Sequence, residues 1–154
     1  MTGLLKGLAI GTAAGAAGTT ALNTVTYLDM VLRGRAASST PEASVEALAK
    51  RTGVTIPGDA DTRQNRVSAL GPLLGIASGI GVGVLLGAAR AAGVRPGLVT
   101  SALLAGAGAL IAGNGPMTVL GVTDPRTWSA TDWVSDLVPH AVYGAVAAAV
   151  LRLA

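Results

Sequence analysis

The sequence contains no cysteine and no phenylalanine, and its only aromatic residues are Tyr27, Trp128, Trp133 and Tyr143. Because cysteine is absent, disulfides, thiolate metal sites and cysteine nucleophiles are excluded. A water-soluble core of this composition would lack the large side chains that usually fill one. A membrane bundle does not need them, because small residues bring its helices together.

Charge is also scarce, since 12% of the residues are charged, against about a quarter in ordinary soluble domains. The formal net charge is +3, but the eleven cations are spread over several loops. Without basic runs interleaved with aromatic residues, we expect no nucleic-acid partner. Arginine outnumbers lysine nine to two. Together with the abundance of Ala and Gly, this is typical of a GC-rich bacterial genome.

Glycine is abundant and regularly spaced. Two ladders of glycines recur at every fourth residue, one near the N-terminus and one in the middle of the chain. Their members are Gly3, Gly7, Gly11 and Gly15, and Gly71, Gly75, Gly79, Gly83 and Gly87. In a soluble helix each glycine costs about 1 kcal/mol relative to alanine, whereas in a bilayer it lets two helix backbones approach closely. The ladders therefore predict helix-packing surfaces, either within one chain or between the chains of a homo-oligomer.

Long apolar stretches of the chain predict four transmembrane helices. They cover about residues 4–28, 67–89, 97–113 and 132–153, and each has close to the length needed to cross the hydrocarbon. We expect an all-α, polytopic membrane helical bundle with glycine-zipper packing, formed as one domain by residues 1–154. A cleaved signal peptide ending near Ala21 is the alternative interpretation of the first stretch.

The polar segment between the first two spans, residues 33–66, predicts one short amphipathic helix. Ser39 and Glu42 have the spacing of a capping box, and Gly53 is placed to end the helix. We expect this helix to lie at the membrane surface, with a solvated loop helix as the alternative.

Two further boundaries follow from local signals. Gly113-Asn114-Gly115-Pro116 predicts the end of the third span. The apolar residues 117–123 are too few to cross and form either a partly inserted loop or a connector. Ser129 and Asp132 predict a capped start of the last helix, and Trp128 and Trp133 stand where an interfacial aromatic belt belongs.

Four spans place both termini on the same side of a membrane. The first and third loops carry seven cations, Arg33, Arg35, Lys50, Arg51, Arg63, Arg66 and Arg126. The opposite side carries four, Lys6, Arg90, Arg95 and Arg152. The positive-inside rule then favours the long loop in the cytoplasm and both termini outside, in a bacterial inner membrane.

The last span contains the most suggestive polar residues. Asp132, Asp136 and His140 follow one another at intervals of four and share a helix face, with Tyr143 close to it. His140 is the only histidine, and an ionisable residue at membrane depth is a functional candidate. A structural hydrogen bond, a proton-relay or substrate role, and metal binding are three interpretations. Two ligands are too few for a metal site.

Polar residues of the first span and of the turn before Pro116 form a second group. Asp29 can pair with Arg33 one helical turn away. Asn23 could line a polar passage or form a bond between helices. Asn114 could expose backbone carbonyls to an ion or lie in a plain interfacial turn.

Catalytic signatures are absent from the sequence, which has no Gly-x-Ser-x-Gly elbow, no Walker loop and no His-Glu-x-x-His helix. We therefore predict no catalytic residues, no cofactor and no metal site, and a protein that is not an enzyme.

Three short stretches carry a resemblance to a known group of proteins. They are Gly15-Ala16-Ala17-Gly18-Thr19, the segment from Arg33-Gly34-Arg35 to Pro41-Glu42, and Pro139-His140-Ala141-Val142-Tyr143-Gly144. Through them the chain resembles small bacterial inner-membrane proteins, including the YagU-like family. The resemblance implies a membrane location and brings no defined activity with it.

These patterns predict a structural or accessory subunit that acts through close helix packing. The lipid bilayer is its expected surrounding, and a second copy or another membrane protein its expected partner. The alternative is a small oligomeric channel or transporter with a polar lining around His140 and Asn23. A membrane enzyme ranks third.

Overall fold

A computed structural model describes residues 3–152 of the chain. This part of the chain forms five α-helices with loops between them. Their bounds are α1 Gly3–Arg33, α2 Thr40–Thr52, α3 Ala60–Ala91, α4 Leu98–Val119 and α5 Ala130–Arg152, and a 3-10 turn covers Pro125–Thr127. The prediction of an all-α fold is confirmed.

The four long helices form a bundle in which sequential neighbours are antiparallel. Gly7 of α1 lies against Gly87 of α3, and Gly15 lies against Gly79, so the two helices run in opposite directions. Gly18 packs on Tyr143 of α5. Helix α5 in turn packs along α4, and α4 contacts α3. Helix α1 is therefore diagonal to α4, and α3 is diagonal to α5.

This topology gives the bundle two different ends. The polar end contains the C-terminal turn of α1, helix α2, the first turns of α3, the loop 120–129 and the start of α5. The cationic end contains the first turns of α1, the connector 92–97 and the last turn of α5. The beginning of α1 and the end of α5 lie together at the cationic end.

Three of the helices, α3, α4 and α5, are long and apolar enough to cross a membrane. The prediction of four such helices is wrong in this respect, because α1 is not among them. Helix α1 is long, with 31 residues, but Gly, Ala and Thr make up most of its middle and lower its hydropathy. A prediction based on an uninterrupted run of uncharged residues therefore overestimated the hydropathy of this helix.

The prediction that the third span ends at Gly113 is wrong. Helix α4 does not end there. It continues through Gly113-Asn114-Gly115-Pro116 to Val119, so the first three residues of the apolar stretch 117–123 belong to it. A proline removes one backbone hydrogen bond, and a glycine increases the conformational entropy that the chain loses on folding. Neither prevents a helix that is packed along its length. Packing of α4 against α5 outweighs these local costs.

The ends of the helices show which of the predicted capping signals are present in the structure. Ser129 and Asp132 form the predicted capping box, with the Ser129 N–H donating to Asp132 at 2.9 Å and the Asp132 N–H donating to the Ser129 hydroxyl at 3.2 Å. The predicted box at Ser39 is wrong, since Ser39 makes no side-chain cap bond. Gly53 ends α2 as expected, in the left-handed region at φ 71°.

Helix α2 packs on the part of α3 that extends beyond the apolar stretch. Its Ser44 and Val45 are buried, and Pro41 lies over Gly71 of α3. Arg63 of α3 donates to Glu46 of α2 at 2.7 Å. Leu48 of α2 stays exposed. The helix is thus held to the bundle by one face and leaves an apolar side chain on the other.

The core of the bundle is built mostly from small residues, with Tyr143 and Leu151 as its large side chains. Its buried members are Ala14, Val82, Ala105, Ala109, Tyr143, Ala147 and Leu151. Ala141, Ala145 and Ala149, which recur at every fourth residue of α5, face outward. Gly144, Ala147 and Ala148 occupy the inner face. Periodicity of small residues could not distinguish these two faces of α5.

Candidate functional site

The α1–α3 seam consists of Gly7, Gly11 and Gly15 of α1 and Gly79, Gly83 and Gly87 of α3. At this seam the two helices touch through their backbones. A Cβ atom on Gly15 would lie 2.7 Å from the carbonyl oxygen of Gly79, and one on Gly7 would lie 2.6 Å from that of Gly87. Contacts this short do not occur between real atoms of these types. Any side chain at the seam would therefore push the helices apart.

Three of the nine predicted helix-packing glycines lie outside the seam. A Cβ atom on Gly3 or Gly75 would meet no atom within 4 Å, and Gly71 packs on Pro41 of α2 rather than on α1. Four residues turn a helix by about 400°, so each step of a ladder drifts by about 40°. This drift carries Gly75 out of the contact, whereas Gly3 has no partner because Gly7 already faces Ala91, the last residue of α3.

Tyr143 occupies the middle of the bundle and connects three helices. Its side chain is 0% exposed. The hydroxyl donates to the carbonyl oxygen of Gly79 at 2.6 Å, which joins α5 to α3 across the bundle. Its ring lies on Gly18 of α1, where a Cβ atom would come within 2.7 Å of it. The sequence predicted Tyr143 as a polar candidate, whereas in the structure it lies in the core.

A second close contact joins α4 and α5, and it was not predicted from the sequence. A Cβ atom on Gly144 would lie 2.8 Å from the backbone nitrogen of Gly106, and one on Gly106 would lie 3.0 Å from the carbonyl oxygen of His140. These glycines belong to no regular ladder. Gly106 follows Ala102 by four residues, and this pair of small residues was the available signal.

Asn114, Asp136 and His140 form a polar cluster between α4 and α5, toward the polar end. The Asn114 amide donates to the Asp136 carboxylate at 2.7 Å. The His140 Nδ1 lies 2.7 Å from the backbone carbonyl oxygen of Asp136 and 3.5 Å from its carboxylate. The side chains of His140 and Asp136 are 15% and 22% exposed. Since Nδ1 faces a carbonyl, it donates, and Nε2 is left as the acceptor.

The continuation of α4 through Asn114 explains this cluster. Had the helix ended at Gly113, Asn114 would have belonged to a turn. As part of α4, it faces α5 and bonds to Asp136, 22 residues later in the chain. The sequence identified Asp136 and His140 as neighbours, but it did not predict their partner on α4.

Asp29 belongs to a separate cluster at the polar end. Arg35 donates to its carboxylate at 2.5 Å and Arg33 at 3.2 Å, and Arg33 also donates to the Ser135 hydroxyl of α5 at 2.7 Å. The Arg35 guanidinium, with help from Arg33, holds the pKa of Asp29 below its usual value. The local pair that the sequence predicted thus also connects α1 to α5.

Asn23 does not join either cluster. It is half-buried on α1, and within residues 3–152 no hydrogen bond connects it to Asp136, His140 or Asn114. Two open surface depressions, of about 580 and 310 Å³, are lined by the 118–126 segment and by Arg33 with the start of α5. Both lie at the polar end, whereas the axis of the bundle is occupied by Tyr143.

Over the described residues 3–152, no three His, Asp or Glu side chains are placed to hold one metal ion. The described contacts of the polar cluster are hydrogen bonds that join α4 to α5 and Asp136 to His140.

Comparisons with known proteins give no relative. No family model, curated protein or solved structure matches the chain. The resemblance to the YagU-like family therefore stays a prediction, and the function has to be argued from this chain alone.

Proposed function

We propose that the protein is a small integral membrane protein that acts as a structural or accessory subunit for another membrane protein. The observation that carries the proposal is the distribution of side-chain size. The interior of the bundle is filled mostly by small residues, with Tyr143 and Leu151 as its large side chains, while other large apolar side chains such as Leu73, Leu103 and Ile111 point outward. This is the arrangement expected of a packed body surrounded by lipid or by other helices.

Helix α1 is the proposed contact surface. It is about 46 Å long at 1.5 Å per residue, and it packs against α3 and α5, two of the three helices that are apolar enough to cross. We infer that it crosses with them, as a fourth span. Its outer row is unlike theirs, since Thr12, Ala16, Thr20 and Thr24 are exposed and small.

The threonines of this outer row are already satisfied within their own helix. The hydroxyls of Thr12, Thr20 and Thr24 each donate to the carbonyl oxygen four residues earlier, at 2.8–2.9 Å. The outward surface of α1 is therefore low in relief and offers methyl groups rather than free donors. Such a surface suits close approach by a helix of another membrane protein better than it suits lipid chains.

Photo-crosslinking in native membranes tests this role. A photoreactive residue at Thr20 is expected to give one dominant protein adduct, and the same residue at the exposed Leu103 of α4 is the matched control and is expected to react with lipid. Lipid adducts alone at both positions would contradict the accessory role. An adduct of twice the chain mass would show that this surface of α1 binds a second copy of the chain rather than another protein.

Transport is the second candidate, and the half-buried Asn114–Asp136–His140 cluster favours it. An ionisable pair at this depth can take up and release a proton. Proton flux into liposomes that contain the purified protein, abolished by His140→Ala and kept in Tyr27→Ala, would establish it. Equal flux in both variants and in empty liposomes would exclude it.

We further infer that the protein spans the inner membrane several times, with the polar end in the cytoplasm. Seven of the eleven cations lie at that end. Because the chain has no native cysteine, a single Ser38→Cys substitution reports the sidedness. An impermeant thiol reagent should label it only after the cells are opened.

A further inference from the structure

The two halves of the bundle differ in the sign of their charged side chains. All eight acidic residues lie in the polar half, and they are Asp29, Glu42, Glu46, Asp59, Asp61, Asp124, Asp132 and Asp136. Several cations there have acidic partners: Arg35 on Asp29, Arg63 on Glu46 and Arg126 on Asp124. At the cationic end, the described residues include Lys6, Arg90, Arg95 and Arg152 and no Asp or Glu.

Lys6 and Arg90 flank the α1–α3 seam on the same side. Gly7 of α1 faces Gly87 and Ala91 of α3. Lys6 precedes Gly7 by one residue and Arg90 precedes Ala91 by one, which is a rotation of about 100° on each helix. Because the helices are antiparallel right-handed helices, these two rotations carry both side chains to the same flank of the seam.

That flank is the one that faces the bundle core. Lys6 continues the row of Ile10 and Ala14 at intervals of four, and both of those residues pack in the core. Arg90 continues the row of Leu86 and Val82, which also pack there. Lys6 is exposed and Arg90 half-buried. Lys6 and Arg90 therefore lie on adjoining helices above the same end of the core, where Leu151 is buried.

Local helix chemistry accounts for Arg90 but not for Lys6. Arg90 lies in the last turn of α3, where a cation is favourable to the helix dipole. The guanidinium of Arg95 donates to the Arg90 carbonyl oxygen at 3.4 Å and holds the connector beneath it. Lys6 lies in the first turn of α1, where the dipole disfavours a cation and no acidic residue is present. An external anion would compensate both charges.

We propose that Lys6 and Arg90 bind the phosphate of an anionic phospholipid headgroup at the cationic end of the bundle. Long cationic side chains at the end of a membrane helix extend to the headgroup level with their apolar stems along the hydrocarbon. The close approach of α1 and α3 sets the spacing of the two cations, so that one phosphate can contact both.

Native mass spectrometry of the full chain in detergent tests the proposal. The protein is mixed with phosphatidylglycerol or, separately, with phosphatidylcholine at equal concentration, and the lipids retained per chain are counted. We expect several-fold more retained phosphatidylglycerol. The double variant Lys6→Gln/Arg90→Gln should reduce it to the phosphatidylcholine level, whereas Lys6→Arg/Arg90→Lys should restore it.

The matched control is Arg63→Gln/Arg126→Gln, which removes two cations from the polar end and should leave lipid retention unchanged. Equal retention of the two lipids by the wild-type chain, or an equal loss in the control, would overturn the proposal. A third arm adds inorganic phosphate. If phosphate displaces phosphatidylglycerol completely, the site binds a free anion and the lipid assignment is wrong. If phosphatidylglycerol persists, the lipid assignment holds.

Discussion

The half of the bundle near the cationic end and the half near the polar end are held together in different ways. Toward the cationic end, Gly7, Gly11 and Gly15 meet Gly79, Gly83 and Gly87, and the helices touch through backbone atoms. Toward the polar end, side-chain hydrogen bonds connect the helices, including Asn114 to Asp136 and Arg33 to Ser135.

The difference shows two solutions to the same shortage of large side chains. A helix pair without side chains between its backbones gains van der Waals contact but tolerates no added atom. A pair connected by polar side chains tolerates more change in shape, since each bond contributes only about 1 kcal/mol net. Substitutions in the glycine half should therefore have larger effects than those in the polar half.

The largest expected effect is that of Gly83→Leu. A Cβ atom there would lie 2.5 Å from the Gly15 backbone nitrogen, so α1 and α3 would have to separate, at a cost of more than about 3 kcal/mol. We expect loss of the folded bundle in detergent, measured by circular dichroism on heating. Gly75→Leu lies in the same row and has no atom within 4 Å of its Cβ position, so it should melt as the wild type does. Equal melting of both variants would contradict the packing argument.

A smaller loss is expected from Asn114→Ala in the polar half. The variant leaves the half-buried Asp136 carboxylate without its amide donor, which costs about 1–3 kcal/mol. A double-mutant cycle with Asp136→Asn isolates the pair from other effects of each substitution. A coupling free energy near zero in detergent unfolding would show that this bond does not hold α4 to α5.

Tyr143→Phe tests the position where the two halves meet. The ring and its contact with Gly18 are kept, and only the hydrogen bond to the Gly79 carbonyl oxygen is lost. Because that carbonyl also belongs to the backbone bonding of α3, we expect a destabilisation of only about 0.5–1.5 kcal/mol. Tyr143→Ala, which also removes the ring, should cost about 3–5 kcal/mol. Similar unfolding free energies for the two variants would contradict this order.

The smallest effect is the pH dependence of the α3 cap. Hydrogen bonds from the Thr62 side chain and backbone hold the pKa of Asp59, which precedes α3 and its apolar stretch, below its usual 3.8. A carboxyl whose folded pKa is lowered stabilises the fold above its unfolded pKa and loses that contribution as the pH falls through the folded value.

Amide hydrogen exchange in the first turn of α3 measures this effect. Exchange, corrected for its intrinsic pH dependence, should increase as the pH falls below 3.8. Asp59→Asn should remove the change while leaving exchange at the start of α5 as before. That helix start is capped by the separate Asp132, which accepts from the Ser129 N–H. A change that persists in Asp59→Asn would assign it to another group.

Much of the fold followed from local pattern. The spacing of Ser129 and Asp132 predicted a cap, and Gly53 predicted a helix end. The apolar stretch 67–89 lies within α3, and residues 132–152 of the last stretch lie within α5. The errors arose where packing outweighed local preference. Pro116 and its flanking glycines would end an isolated helix, yet α4 passes through them because α5 holds it along its length.

The candidate site shows the same limit. Asp136 and His140 are one turn apart, so their proximity could be predicted from spacing, and Asp29 and Arg33 likewise. The bonds from Asn114 to Asp136 and from Arg33 to Ser135 join residues far apart in the chain. Asn23 and Asn114 carry the same side chain. The residues next to Asn23 in the sequence do not indicate that, unlike Asn114, it lies outside both clusters.

The sequence by itself determined that this chain is helical, where most of its helices lie, and that small residues allow them to approach closely. These properties depend on spacing within one helix, which the chain carries in its own order. Only the tertiary structure decided which six glycines meet, which alanines of α5 face inward, and that Lys6 and Arg90 share one flank of the bundle. Those outcomes depend on how helices rotate and cross against each other, and that rotation is set by contacts between distant residues.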